Sequence, residues 1–381
     1  MSQPQFKQMR RAYGFDEVAI VPGGHHTINP ELVELSFKLG HREFDLPFVA
    51  AAMDGVVDVH MAAEFSKHGG LAVLNVEGVQ TRYDDPAAVL GNIASLPDEQ
   101  VQDALAAAYS EPIREELVAR RIAEIKAAGS PVFVAATPAA ARRLGPFCAE
   151  QGADMFLVQS QVSSARHIAS GYEALSLAEF TRYMPIPVAV GNTTNYQAAL
   201  ELMRQGAASV FVGVGPGAAC TTRDVLGIGI PQITAIADVA AARDDFFDQS
   251  GRYVPVVADG GMRRGGELAK AIAAGADVLM LGSPLARAAE APGKGTNWGM
   301  AAPSPTLPRG TRIKVGTVGP LEQILLGPSH VTDGTQNLVG ALRQSMAALG
   351  ARNIRQMQQV EMVYAPAVAV EGKSWQRGAS R

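Results

Sequence analysis

Hydrophobic positions in this chain fall in short continuous runs rather than in alternation. LPFVAAAMDG (46–55), HGGLAVLN (68–75), SPVFVAAT (130–137), QGADMFLVQS (151–160), IPVAVGN (186–192), QGAASVFVGVG (205–215), VPVVADGG (254–261) and AGADVLMLGS (274–283) are eight such runs, most of them closing on polar or glycine residues. An apolar run of this length is the pattern of a parallel strand buried on both faces. The runs at 68–75, 151–160, 205–215 and 274–283 share one junction, in which a helical segment stops at a glycine and the strand follows at once. Glycine ends the helix there because it accepts the left-handed backbone conformation just past the cap. Eight strands alternating with helices predict an α/β fold of the (β/α)8 TIM-barrel type, an architecture that runs from about 200 to over 400 residues. No linker-like stretch divides the chain, so residues 1–381 are read as a single domain. Residues 76–129 form a helical insertion after the second strand, and 333–358 supplies C-terminal helices that close the barrel.

Composition narrows the partners. A formal charge of -4 over 381 residues offers no bulk attraction to nucleic acid or to an anionic membrane. No run of 18 apolar residues is present and MSQPQFKQMRRAYG is unlike a signal peptide, so the expectation is a cytoplasmic protein. The two cysteines, Cys148 and Cys220, suit a reducing compartment. Cys148 lies in a helix-like segment and is read as structural.

Cys220 is different. It follows Gly213, Gly215, Pro216 and Gly217 and stands beside Thr221, Thr222 and Arg223. Glycine-rich backbone can turn main-chain groups toward a ligand, and a cysteine on such a loop is a candidate nucleophile in its thiolate form. Active sites of barrels gather at the carboxyl ends of the strands. Those ends carry Met53 and Asp54, Asn75, Gln159 and Ser160, Gly191 and Asn192, the Cys220 loop, Asp259 to Gly261, and Gly282 with Ser283. The loops after strands seven and eight commonly bind phosphate, which points to a phosphorylated substrate. Asp259 has the wrong charge for phosphate but suits a pair of ribose hydroxyls; the alternative is a cap on the following helix.

These residues resemble the IMP dehydrogenase and GMP reductase family. The resemblance runs from about Tyr13 to Ala351 and rests on FDEVAIVPG (15–23), AAMDGV (51–56), VGN (190–192), GPGAACTTR (215–223), GIPQITA (229–235), ADGG (258–261), GADVLMLGS (275–283) and WGM (298–300). It is nearest to the short IMP-dehydrogenase-related branch without the CBS regulatory domain. The resemblance implies that Cys220 attacks carbon 2 of a purine nucleotide (GMP, IMP or XMP) and that Thr222 assists proton transfer. It makes Asp259 the ribose ligand, Gly261, Gly282 and Ser283 the phosphate cradle, and Met53, Asn192, Gly299 and Met300 the lining of the base. Gln159 and Ser160 fall on the NADPH or NAD side. Carbonyls of Gly215, Gly217 and Cys220 would hold a potassium ion, and the assembly implied is a homotetramer or larger, with the EGK of the C-terminal tail near a neighbour's cation site.

Departures from the family pattern bear on the reaction. Ala218 stands where a serine is usual, Asn297 where a tyrosine is usual, and Gln159 where an acid is usual. Only AAPSPTLP separates Met300 from Arg309, too short for the mobile flap that an IMP dehydrogenase uses to hydrolyse its covalent intermediate. That favours NADPH-dependent GMP reduction. Arg309, however, occupies the place of a glutamate that helps expel ammonia, and NAD-dependent IMP dehydrogenation or nucleotide binding without turnover stay open.

Overall fold

All eight predicted runs form strands: Phe48–Ala50 (β1), Leu71–Asn75 (β2), Phe133–Ala136 (β3), Met155–Gln159 (β4), Val188–Thr193 (β5), Ser209–Val212 (β6), Val256–Asp259 (β7) and Val278–Leu281 (β8). They belong to a computed structural model that describes residues 9–23, 25–170, 173–300, 307 and 310–367. Every neighbouring pair is parallel, and β8 returns to β1 with Leu279 opposite Phe48 and Met280 opposite Val49, so the sheet closes. Side chains alternate across it. In β8, Val278 and Met280 join the interior core with Val49, Leu157 and Phe211, while Leu279 and Leu281 pack outward on the helical layer. Both faces are therefore apolar, which is why the strands read as continuous runs.

Helices Val59–Lys67, Glu115–Ala127, Pro138–Glu150, Leu177–Tyr183, Tyr196–Arg204, Gln232–Ser250 and Gly265–Ala273 connect the strands in turn. Gly69, Gly152, Gly206 and Gly275, the glycines of the repeated junction, all have positive φ. Helix Leu338–Ala348 completes the outer layer, packing so closely on Gly265 that a methyl group there would collide with Ala341. The amino end of the barrel is plugged by a hairpin of Phe37–Leu39 and Arg42–Phe44, whose two phenylalanine rings stack at 5.1 Å. Cys148 is buried in its helix, and burial pushes its thiol up to about 12, as expected of a structural cysteine. Among the described residues no helix is long and apolar enough to cross a membrane.

The predicted insertion divides into two parts. Glu115–Ala127 is the barrel's own helix between β2 and β3, whereas Pro86–Ser95 and Asp98–Ser110 are additional. These two form a separate small core of Val79, Leu90, Ile93, Val101, Leu105 and Ala108, into which Trp298 is buried from the far end of the chain.

Polar groups at the amino ends of the strands are joined by Arg243. Its guanidinium donates to Asp277 at 2.9 Å and to the Gly275 carbonyl at 2.7 Å, and Asp277 also accepts from Tyr253, Gln358 and the Val256 N–H. Removing one member of a buried pair strands the other charge. Arg243→Met is expected to lower the unfolding free energy by about 3–5 kcal/mol in urea titration; a loss near zero contradicts this role.

Candidate active site

The carboxyl ends of the strands surround a cavity of about 440 Å³. Cys220 reaches it from the loop after β6, half-buried, with its thiol donating to the Thr222 hydroxyl at 3.1 Å. Thr222 is itself buried at the start of the short helix Thr222–Leu226. Two glycines make this loop possible. Gly213 has positive φ and leaves no room for a side chain against the Asp259 carbonyl; Gly215, also at positive φ, lies against the Arg223 side chain. The Gly217 carbonyl accepts from the Cys220 N–H at 3.1 Å, which closes the turn that presents the sulfur.

Opposite the cysteine loop, Asp259 ends β7. Its Oδ2 accepts from Asn192 Nδ2 at 2.7 Å and from Gln159 Nε2 at 3.1 Å, and the Gln159 amide also reaches Asn192 Oδ1 at 3.2 Å. Asn192 Nδ2 donates further to the Gly213 carbonyl at 2.9 Å, tying β4, β5, β6 and β7 together at one level. Asp259 does not cap a helix, because the next one begins at Gly265. Enclosure raises the Asp259 carboxyl from an ordinary 3.8 to about 6, against the pull of the two amide donors. Gln159 Oε1 and Asn297 Oδ1 are buried acceptors with no hydrogen-bond partner among the described residues, and both residues line the cavity.

The residues given a role in the site from the sequence line this one space: Cys220, Thr222, Met53, Asn192, Asp259, Gly261, Gly282, Ser283, Gly299, Met300, Gln159, Ser160, Gly215 and Gly217; Asp54, Asn75, Gly191 and Arg223, also named from the strand ends and the cysteine loop, do not. Ser283 opens the short helix Ser283–Ala286 after β8, beside Gly282, whose missing side chain leaves room for the Met53 sulfur. Arg309 and the tail's EGK lie outside the described residues. Sequence reasoning passed over Arg263 and Gly310, which also line the cavity. Arg263, ion-paired to Glu267 at 2.8 Å, is the one described arginine or lysine there. Its signal was the basic pair in GMRRGGE. Gly310 carried none, since its place depends on how the chain returns after Met300. Gly299 and Gly310 face each other so closely that a methyl group on either would crowd the other. The pairing of Thr296–Asn297 with Ile313–Lys314 holds this return in place.

A family model described as IMP dehydrogenase / GMP reductase domain matches residues 12–300. An uncharacterized oxidoreductase of Mycobacterium leprae is 40% identical over 363 residues, covering 93% of this chain and 96% of its own. The inosine-5'-monophosphate dehydrogenase of Methanocaldococcus jannaschii is 26% identical over 473 aligned residues, covering 92% of each chain. The crystal structure of an IMP dehydrogenase/GMP reductase-like protein from Corynebacterium glutamicum matches with a TM-score of 0.89 at 35% identity, covering 96% of this chain and 97% of that one.

The raised Asp259 pKa carries a stability cost with a definite sign. The neutral acid is the form the fold tolerates, so stability from this group is full below pH 3.8 and is lost as pH rises through about 6. Asp259→Asn is therefore expected to stabilise the ligand-free chain at pH 7–8 by up to about 3 kcal/mol, a gain that vanishes near pH 4. Calorimetric melting across pH checks this; a variant less stable than the parent at pH 8 contradicts it.

Proposed function

Because the chain belongs to the IMP dehydrogenase / GMP reductase family, we propose that it is an NADPH-dependent oxidoreductase that converts GMP to IMP and ammonia through a covalent adduct on Cys220. The phosphate is taken at Gly261, Gly282 and Ser283, where β7 and β8 end in small residues beside a hydroxyl. The ribose diol donates to Asp259, whose charged form it favours. Met53, Asn192, Gly299 and Met300 flank the base and bring carbon 2 to the Cys220 sulfur.

Cys220 gives its proton toward Thr222 and adds as thiolate to carbon 2. The exocyclic amino group takes up the proton given by the Cys220 thiol and departs as ammonia, leaving the purine joined to sulfur by a thioimidate. A nicotinamide held beside Gln159 and Ser160 would supply the hydride that carbon 2 receives. The carbon–sulfur bond then breaks, the thiolate leaves with its electron pair, and IMP is released. Thr222, at 3.1 Å from the sulfur, is placed to hold the proton during each change of charge. The unpartnered Gln159 Oε1 fits a ligand that brings hydrogen-bond donors, such as a ribose hydroxyl or the nicotinamide carboxamide. For a monovalent cation, the Gly215, Gly217 and Cys220 carbonyls are the proposed ligands; Gly217 would use its second lone pair, since the first accepts from Cys220 N–H.

One observation carries the preference for reduction. The chain leaves the cavity at Met300 and is back at Gly310, with nine residues between and both ends held by the Thr296–Asn297 and Ile313–Lys314 pairing. A closure of that length reaches on the order of 15 Å at most. Hydrolysis of the covalent intermediate needs an element that swings in to activate water. Release by hydride needs none. Among the described residues lining the cavity, the only carboxylate is Asp259, which the ribose engages.

Mixing the protein with GMP and NADPH is expected to bleach the near-ultraviolet absorbance of NADPH, and Cys220→Ala is expected to abolish turnover, by at least about a thousandfold, while retaining nucleotide binding. Growth of that absorbance with IMP and NAD, and no bleaching with GMP, would reverse the direction. An active Cys220→Ala variant would remove the covalent mechanism.

A further inference from the structure

The two additional helices, Pro86–Ser95 and Asp98–Ser110, take no part in closing the barrel, yet each is hydrogen-bonded to residues that adjoin the cavity wall. Tyr109, near the end of the second, donates its hydroxyl to Asp54 Oδ2 and accepts from Trp298 Nε1 at 2.8 Å. Asp54 is buried, adjoins Met53, and is also held by the Val79 N–H at 3.1 Å. Its neighbour Gly78 leaves no space for a side chain against the Asp54 carboxylate. Trp298 is fully buried in the insertion's core and adjoins both Asn297 and Gly299. Met53, Asn297, Gly299 and Met300 all line the cavity, and Asn297 Nδ2 lies 3.8 Å from the Met53 sulfur.

A second tie repeats the arrangement. Arg312, buried two residues beyond the cavity-lining Gly310, donates to the carbonyls of Ile93 and Leu96 at 2.7 Å and pairs with Asp98. Three separate stretches of cavity wall are thus each one or two residues from a side chain anchored in the insertion. A phenolic hydroxyl donating to a carboxylate and accepting from an indole N–H has its direction set at both ends. Buried polar networks of this kind rigidify what they join.

We propose that Tyr109 is a positioning residue of the nucleotide site, through which the helical insertion holds the Met53 and Asn297–Met300 walls at the spacing that a purine base requires. The inference rests on the purine-nucleotide reading above and gives the insertion a function at the site. Tyr109 acts through Asp54 and Trp298.

Isothermal titration calorimetry of the full chain with GMP and with IMP tests this, with melting recorded for each variant. Tyr109→Phe is expected to weaken nucleotide binding by at least about tenfold, because it leaves two buried polar groups without their shared hydroxyl. Tyr253→Phe is the control: it deletes a hydroxyl that bridges Asp277 at 2.5 Å and Arg355 at 3.0 Å at the opposite end of the barrel. It is expected to bind within about twofold of the parent, distant sites being independent. Parental affinity in Tyr109→Phe overturns the proposal, as does equal weakening in both variants, which would mark a general stability effect. Should Tyr109→Phe fail to fold, Arg312→Lys, which cannot reach both carbonyls together, is expected to show the same weakening, and parental affinity there overturns the proposal. A parent chain that binds neither nucleotide overturns the functional reading together with this one, whereas binding by the parent with no change in the variants overturns this one alone.

Discussion

The pairing of β8 with β1 is the contact on which the site depends. Leu279 lies opposite Phe48 and Leu281 opposite Ala50, joining segments more than two hundred residues apart in sequence. Parallel strands cannot be joined by tight turns, so each crossover carries a helix, and closing the sheet removes the two edges that would otherwise seek partners. Closure also brings all eight carboxyl ends onto one rim. Met53 from the end of β1 then meets Gly282 from the end of β8, and the Cys220 loop faces Asp259. An open sheet of the same strands would leave these groups spread along a line.

On that rim, order comes from uncharged donors around one carboxylate. Gln159 and Asn192 both donate to Asp259, and Gln232 donates to the Asp259 carbonyl at 3.1 Å. The group is enclosed enough to resist ionisation and yet faces the cavity. The sulfur opposite is controlled differently, by backbone that only glycine can adopt and by a hydroxyl within hydrogen-bond reach.

Much of this was legible in the sequence because barrels impose regular spacing. Each apolar run had to be a strand buried on two faces, each terminal glycine a helix stop, and each polar strand end a rim residue. The cavity accordingly gathers Cys220, Asp259 and Ser283, whereas Asp54 and Asn75, at the ends of the first two strands, stay out of its lining. What the sequence concealed depends on single side-chain reaches across long separations. That Gln159 turns its amide to Asp259 follows from the β4 to β7 geometry and from no local pattern. That Trp298 belongs to the core of an insertion two hundred residues earlier is set by packing. Arg312 is legible as a charge, but nothing in RIKV indicates that it is buried on the carbonyls of another helix. The insertion itself was recognisable as helical while its connection to the site was not.

Covalent chemistry at Cys220 requires its sulfur to stand at bonding distance from carbon 2 of a bound purine. A crystal structure of the chain with GMP or IMP measures this directly. The expected result is carbon 2 within about 3–3.5 Å of the sulfur, or joined to it, with the ribose on Asp259 and the phosphate at Gly282 and Ser283. A nucleotide bound with its base away from Cys220, or its phosphate away from the β7 and β8 loops, would rule out covalent catalysis at this sulfur.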